Sequence, residues 1–254
     1  MILATYLVYF SPTKSTEKIV KIIGKEFGET QEIDLCNKEN DFKKSFHQDD
    51  ICIVGVPSYG GRVPAIALER IKNFKGNHAK AILVVSYGNR DYDDTLIELA
   101  DCLKEVGFLC VGAISAIAEH SIMHQFATGR PDSKDEIELS EFAKKILKKI
   151  KSNSHFTDLH LPGNHPYKTY NGLPLKPKAS KVCTACGLCA NVCPVGAISV
   201  SNPAKTNKSL CISCMRCVEV CPVHARKVNS LLVKVAAKKM KKSCETRKEN
   251  ELFI

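Results

Sequence analysis

Eight of the 13 cysteines fall into two copies of one spacing, in which two residues separate each of the first three cysteines and three residues precede a fourth. The two runs are Cys183, Cys186, Cys189 and Cys193 before Pro194, and Cys211, Cys214, Cys217 and Cys221 before Pro222. Three thiolates at this spacing can surround one corner of an iron–sulfur cube, whereas the fourth cysteine, which proline follows, lies away from that corner. The spacing therefore predicts that this part of the chain folds around bound iron and sulfide.

Two other uses of paired cysteines compete with this interpretation. Structural zinc sites use Cys-x-x-Cys pairs separated by longer loops and often include histidine, and disulfide frameworks belong to small secreted chains. The start of this chain shows no cationic region followed by an apolar stretch and a cleavage site. A doubled run of four cysteines that ends in proline favours iron–sulfur ligation over both.

The doubled run resembles that of bacterial-type ferredoxins with two 4Fe-4S clusters, in which the fourth cysteine of each run ligates the other cluster. The resemblance implies that cluster 1 is held by Cys183, Cys186, Cys189 and Cys221. Cluster 2 would be held by Cys211, Cys214, Cys217 and Cys193. Of the other cysteines, four in apolar runs are expected to be buried, and Cys244 is expected to be exposed.

The length of 254 residues allows one full-sized domain and a small one. Residues 152–181 contain four prolines and two glycines without a sustained helical or strand period, which is typical of a linker. We expect a full-sized domain at 1–151, a linker at 152–181 that packs on it, a cluster domain at 182–230 and a basic C-terminal helix at 231–254.

Charge divides along the same line. Residues 1–151 hold 21 Lys and Arg against 22 Asp and Glu, whereas residues 152–254 hold 16 against 5. Two clusters of about −2 charge each would leave the second part basic, so we expect an acidic redox protein as partner. The lysine-rich C-terminal end lacks interleaved aromatic residues and a recognised nucleic-acid-binding motif, so we do not expect nucleic acid as a partner. The sequence does not determine an oligomeric state.

The opening apolar run, residues 2–10, has no positive charge before it and is too short to span a bilayer. We interpret it as the first buried strand, and we expect a cytoplasmic protein without a membrane span.

Short apolar runs alternate with helical patterns over residues 1–151, which is typical of an α/β fold with a parallel sheet covered by helices. The predicted strands are 3–9, 31–35, 50–56, 80–87 and 109–118. The predicted helices are 15–27, 64–73, 92–106 and 134–151, with a short one around 41–46.

Ligands of such sheets bind beyond the carboxyl ends of the strands, and three loops at those ends are unusual here. A hydroxyl-rich turn, residues 11–16, follows the first strand and opens a helix whose N-terminal N–H groups suit a phosphate. After the third and fourth strands, residues 57–64 and 86–92 place aromatic rings beside glycine.

Together these loops resemble the phosphate loop and the two ring-binding loops of flavodoxins, which are doubly wound five-stranded parallel sheets of order 2-1-3-4-5 that hold FMN. In the phosphate loop, the resemblance implies binding by Ser11, Thr13, Lys14, Ser15 and Thr16. In the ring loops, it implies binding by Pro57, Ser58, Tyr59, Gly60, Gly61, Ser86, Tyr87, Gly88, Asn89 and Tyr92. Tyr59 and Tyr92 would flank the flavin ring, with Tyr87 as a substitute for either. Pro12 and Lys14 stand where flavodoxins have small residues and glycine.

In this order the chain resembles a family of flavodoxin–ferredoxin fusion proteins, mostly from anaerobes, in which an FMN domain precedes a small α+β domain with two 4Fe-4S clusters. The resemblance implies an electron-transfer protein that relays electrons between the clusters and FMN and exchanges them with a partner protein. The alternative is an oxidoreductase whose flavin reduces a small substrate of its own. Glu119, His120 and His124, near the end of the fifth strand, would be its candidate proton donors.

Overall fold

The computed structural model describes residues 2–152 and 156–254, so Met1 and residues 153–155 of the expected linker lie outside the described residues. Its main sheet has six strands, of which five lie within residues 5–117 and the sixth is formed by residues 251–253 at the C-terminus. The first five strands are parallel to their neighbours, which confirms the predicted 2-1-3-4-5 order. They are β1 Thr5–Tyr9, β2 Thr30–Asp34, β3 Ile51–Pro57, β4 Lys80–Tyr87 and β5 Leu109–Ile117.

Four helices cover the two faces of this sheet. They are α1 Ser15–Gly24, continued by a 3-10 turn at Lys25–Phe27, α2 Ala65–Ile71, α3 Thr95–Glu105 and α4 Ser133–Lys151. The predicted helix around 41–46 is wrong, since that segment is extended and Ser45 forms a bridge with Lys75.

Strands β1, β3, β4 and β5 are buried on both faces because alternate side chains point to opposite helical layers, whereas the edge strand β2 is partly exposed. Val8 and Val54 pack in one cluster with α2 and α3, whereas Leu7 and Ile53 pack in a second cluster with α1 and α4. A sheet covered on both sides leaves its carboxyl edge as the accessible place for a ligand.

The cysteine-rich region is built from short elements in two similar halves. They are β6 Lys178–Ala179, α5 Leu188–Asn191, α6 Arg216–Glu219 and β7 Arg226–Lys227. The two strands pair antiparallel, and α5 and α6 pack together. Each helix carries the third cysteine of its run and follows a residue in the left-handed region, Gly187 or Met215.

The C-terminal segment departs from the expected helix over 231–254. Helix α7 spans only Ser230–Cys244, and the chain then returns to the main sheet as β8 Glu251–Phe253, antiparallel to β5. An uncovered β5 would expose a row of unpaired backbone groups. Asn250 accepts a hydrogen bond from the Ile117 N–H at 2.9 Å beside this new edge. Cys244, expected to be exposed, is buried in an apolar cluster.

The segment after α4 runs along α3 and the loop before it. The Asp94 carboxylate accepts hydrogen bonds from the backbone N–H groups of Asn164 and Lys168, at 2.9 and 2.6 Å. The Arg62 guanidinium donates to the Lys168 carbonyl oxygen at 2.7 Å. Among the helices of the described ranges, none is both long and apolar enough to cross a membrane.

Candidate cofactor sites

A cavity opens at the carboxyl ends of β1, β3, β4 and β5, where the strand order reverses, and we call it the strand-end cavity. Its empty space, including the part open to solvent, is about 680 Å³. Of the predicted FMN residues, those that line it are Thr13, Ser15, Thr16, Pro57, Ser58, Tyr59, Gly60, Ser86, Tyr87 and Gly88.

The first loop presents hydroxyl groups and the N-terminus of α1 to this cavity. The first N–H groups of a helix lack helical acceptors, and here the Glu17 N–H donates to Ser11 Oγ at 2.9 Å. Thr16 Oγ1 and Ser86 Oγ are 2.7 Å apart and tie this loop to the loop after β4. Hydroxyl groups beside the positive end of a helix dipole suit a phosphate.

Two residues of that loop do not line the cavity. Ser11 is buried beneath the loop, where its hydroxyl holds the turn in place. The Lys14 ammonium lies on the exposed side and pairs with the Glu17 carboxylate at 2.7 Å. Lys14 therefore lies on the solvent side of the turn, outside the cavity wall.

The second loop is held rigidly against α3. Both Nε and Nη2 of Arg62 donate to the buried Glu98 carboxylate, at 2.9 and 2.5 Å, and the Val63 N–H donates to it at 2.8 Å. Within this loop Tyr59 is half-buried and lines the cavity. Burial raises the pKa of its hydroxyl well above the usual value, so the ring stays neutral.

Tyr170, from the segment after α4, packs against the backbone of this loop and lines the same cavity. Gly60 and Gly61 have φ values of 62° and 88°, in the left-handed region that glycine adopts without strain. A Cβ on Gly60 would lie 2.3 Å from Tyr170 Cδ2. The ring of Tyr170 therefore occupies the space that the missing side chain leaves.

Three predicted ring-loop residues serve other contacts. The Tyr92 hydroxyl donates to Glu251 Oε2 at 2.7 Å, and Asn89 Nδ2 donates to the carbonyl oxygens of Cys244 and Thr246, each at 2.8 Å. Gly61 is also absent from the cavity wall, although its carbonyl oxygen accepts the Asp94 N–H at 3.0 Å. Tyr92 and Asn89 anchor the C-terminal segment, so the prediction that Tyr92 flanks the ligand is not supported here.

His120 and Glu119 line the cavity, whereas His124 lies outside it. His120 Nδ1 accepts the N–H groups of Ile122 and Met123, at 3.1 and 3.2 Å, and burial lowers its pKa to about 4. The ring is therefore neutral near pH 7 with its proton on Nε2, which makes it a hydrogen-bond donor.

Glu119 holds a loop together. Its carboxylate accepts the Gly129 N–H at 2.7 Å and lies 2.7 Å from His124 Nδ1. The backbone hydrogen bond from Gly129 is the main reason why the Glu119 pKa is lowered. An ionised carboxylate with these partners is poorly suited to donate protons.

The cysteines of the two runs separate into two groups that interleave the runs. The outer thiol group, Cys183, Cys186, Cys189 and Cys221, lines a cavity of about 310 Å³ of empty space. The inner thiol group, Cys193, Cys211, Cys214 and Cys217, lines one of about 340 Å³. These are the two ligand sets that the ferredoxin resemblance implies.

Within residues 2–152 and 156–254, no three Cys, His, Asp or Glu side chains converge closely enough to hold one metal ion. Burial raises the pKa of the Cys214 thiol to about 12, so cluster assembly would release protons there.

The two groups lie at different distances from the strand-end cavity. Ile212, which follows Cys211, lines both that cavity and the cavity of the inner thiol group. In the outer thiol group, Cys186 is exposed. The order across the molecule is therefore strand-end cavity, inner group, outer group.

Backbone groups contact the fourth cysteine of each run in the same way. The Ala197 N–H donates to Cys193 Sγ at 3.3 Å, and the Ala225 N–H donates to Cys221 Sγ at 3.2 Å. Hydrogen bonds to sulfur are one of the factors that set the potential of such sites.

The cysteine-rich region is fixed to the main sheet by buried contacts. Arg70 in α2 donates from Nη1 to the Leu35 carbonyl oxygen and from Nη2 to the Pro194 carbonyl oxygen, the latter at 2.8 Å. Pro194 follows a cysteine of the inner thiol group, so this contact holds that group against the flavodoxin-like sheet.

Among the cavity-wall residues that sequence reasoning missed, four come from distant segments, and they are Tyr170, Leu173, Ile212 and Ser213. Tyr170 and Leu173 belong to the expected linker, and Ile212 and Ser213 stand between cysteines of the second run. These residues belong to no sequence motif that indicates a ligand site, because only tertiary packing brings their segments to the strand ends.

Known families and solved structures match separate parts of this chain. Residues 182–226 match the 4Fe-4S dicluster domain family. Solved structures that resemble the chain include a flavodoxin from the domain Archaea, with 16% identity over 59% of this chain and 99% of that chain and a TM-score of 0.43. A Streptococcus pneumoniae TIGR4 flavodoxin shows 18% identity over 57% and 99%, with a TM-score of 0.43. A Fusobacterium nucleatum flavodoxin bound to flavin mononucleotide shows 15% identity over 57% and 98%, with a TM-score of 0.42. No curated protein matches the sequence.

Proposed function

We propose that this fusion of a flavodoxin-like sheet with a 4Fe-4S dicluster domain relays electrons between FMN in the strand-end cavity and one 4Fe-4S cluster in each thiol group. When bound, FMN supplies two-electron chemistry that can be divided into single electrons, and each cluster supplies one-electron chemistry. The observation that carries the proposal is the position of Ile212, which forms part of the wall of both the strand-end cavity and the inner cavity.

The chain's own residues would hold the flavin in separate ways. The hydroxyl groups of Thr13, Ser15 and Thr16 and the start of α1 suit the phosphate. The rings of Tyr59, Tyr87 and Tyr170 line the cavity and would contact the ring system. The exclusion of water by these side chains would lower the local dielectric constant and strengthen the polar contacts that remain.

Fusion replaces a collision between two proteins by a fixed contact. Two separate carriers would have to meet in solution, whereas linked domains experience a high effective concentration. The Arg70 contact to Pro194 is buried, and Ser213 Oγ donates to the Leu173 carbonyl oxygen at 3.4 Å. These contacts support a relay whose geometry persists between turnovers.

The exchange of electrons with a partner is best supported at the outer thiol group. Cys186 is exposed, and Val182, Leu188 and Val223 beside this group are 62%, 40% and 41% exposed. An apolar patch on a strongly basic region suits an acidic redox protein, since charge guides the encounter and the apolar contact holds the complex.

The alternative, an oxidoreductase that reduces its own small substrate, needs a proton donor over the flavin. His120 is neutral, with a pKa of about 4, and Glu119 is bound to the Gly129 N–H. Both residues are therefore better suited to fix the loop and donate a hydrogen bond than to deliver protons.

The test begins with anaerobically purified protein, in which we expect about one FMN and about eight irons per chain. Rapid mixing with a reductant that reaches only the clusters should then bleach the flavin at a rate independent of protein concentration. Protein that holds iron but no flavin would contradict the proposal. A flavin reduction rate that rises with protein concentration would contradict the internal relay.

A further inference from the structure

Two arginines carry a buried side-chain nitrogen without a protein partner. In the part of the chain that the structure describes, three buried side-chain nitrogen or oxygen atoms lack a hydrogen bond, and two of them are Arg216 Nε and Arg226 Nε. Arg226 is only 2% exposed. Buried polar groups are normally satisfied, so each exception points to a partner that the protein chain does not supply.

Each of these arginines lines one thiol cavity. Arg226 lines the cavity of the outer thiol group, and Arg216 lines that of the inner thiol group. The remaining nitrogens are held by the protein. Arg226 Nη1 donates to Thr206 Oγ1 at 2.9 Å, and Arg226 Nη2 donates to the Pro203 carbonyl oxygen.

Arg216 is anchored to the flavodoxin-like sheet. Its Nη1 donates to the Ser11 carbonyl oxygen at 3.5 Å, and its Nη2 lies 3.6 Å from Asp34 Oδ2. In both arginines, therefore, the Nη atoms are fixed by the protein and the Nε atom alone is left without an acceptor.

The internal repeat of the sequence shows that the fold does not require arginine at these places. When the two cysteine runs are superimposed in sequence, Arg216 falls on Leu188 and Arg226 falls on Ile198. Each arginine thus occupies a position at which the other run has an aliphatic residue. A packing role alone would not need a charged group there.

We propose that the Nε–H of Arg226 and of Arg216 each donate a hydrogen bond to a sulfur atom of the cluster held by the adjacent thiol group. This inference rests on the proposed function, since it requires both clusters. A donor and a positive charge beside a cluster stabilise its more negative, reduced form. The two arginines therefore raise the reduction potentials of their clusters above those of a run with aliphatic residues at the same positions.

The first experiment exchanges each arginine for the residue of the other run, as Arg226→Ile and Arg216→Leu, in the full chain with its clusters. Reductive titration monitored by EPR should show that each substitution lowers the reduction potential of one cluster. The expected shift is at least about 59 mV, which is a tenfold change in the equilibrium constant of a one-electron couple. The reduction potential of the other cluster should shift less. Lys227→Ile is the matched control, because it removes one charge from the same strand at an exposed position.

Unchanged potentials in both arginine variants, with iron content intact, would overturn the inference and leave the relay unaffected. A wild-type protein without two clusters would instead overturn the proposed function. If a variant loses its iron, the hydrogen bonds are tested in the wild-type protein instead. This protein is labelled with ¹⁵N only at arginine Nε, reduced, and measured by pulsed EPR. A nitrogen coupling to the cluster spin is expected, and its absence would reject the hydrogen bonds.

Discussion

The ring of Tyr170 lies directly against Gly60, so close that a Cβ on this glycine would be 2.3 Å from Tyr170 Cδ2. Both residues line the strand-end cavity, although one follows β3 and the other belongs to the segment after α4. The segment that joins the two parts of the chain therefore also completes the candidate flavin site.

Gly60→Ala should weaken FMN binding at least tenfold, about 1.4 kcal/mol, because the new methyl group would displace the Tyr170 ring. Fluorescence titration of the flavin-free protein with FMN measures this affinity. Gly28→Ala is the control, since Gly28 has φ 84° and no atom within 4 Å of an added Cβ. Equal affinities in the two variants would show that Tyr170 is not part of the site.

Tyr170→Ala and Tyr92→Phe should separate the two roles assigned to tyrosine. Loss of the Tyr170 ring removes part of the cavity wall and should weaken FMN binding. Loss of the Tyr92 hydroxyl removes its hydrogen bond to Glu251 and should destabilise the protein by about 1.5–3 kcal/mol. FMN titration and thermal unfolding measure the two effects, and weaker FMN binding in Tyr92→Phe alone would reverse this assignment.

Cysteine replacements should follow the interleaved groups. Cys221→Ser should alter the same EPR signal as Cys186→Ser, and Cys193→Ser should alter the same signal as Cys214→Ser, because these pairs line the same cavities. Cys102→Ala, in α3, should leave the iron content unchanged. If Cys193→Ser instead matched Cys186→Ser, each run would hold its own cluster.

His120 should remain neutral from pH 8 to pH 5, because burial lowers its pKa to about 4. Since the unfolded ring takes up its proton near pH 6.5, His120 stabilises the fold fully above that value. This stability, up to about 3 kcal/mol, should be lost as the pH falls from 6.5 towards 4. Long-range ¹H–¹⁵N NMR of histidine follows the ring directly, and protonation near pH 6.5 would contradict the burial argument.

His224→Gly should stabilise the protein by about 1 kcal/mol. His224 has φ 48°, whereas Gly196, at the same place in the first run, has φ 62°. Glycine adopts this left-handed backbone without the clash of a Cβ atom. The thermal midpoint measured without oxygen should rise by about 2–4 °C. The reciprocal Gly196→His should lower the midpoint, and a lower midpoint for His224→Gly would contradict the strain.

The candidate cluster ligands and the strands were visible as patterns within contiguous residues. The resemblance to ferredoxins implied the groupings in which Cys221 and Cys193 change places, and apolar runs such as Ile51–Pro57 predicted the strands. These patterns are readable because ligand spacing and side-chain alternation are local properties of the chain. The flavin loops were predicted for the same reason, since they directly follow those strands.

Other features depended on contacts between residues far apart. Tyr170 lies at the cavity where Tyr92 was expected, Glu251 pairs beside β5 in the main sheet, and Ile212 lies between the strand-end cavity and the cavity of the inner thiol group. None of these residues has a spacing that marks its role, and each reaches its place because exposed strand edges and cavity walls are covered by whatever segment packs there. Local patterns therefore predicted the candidate cofactor residues, and long-range packing decided which other residues complete the cavities.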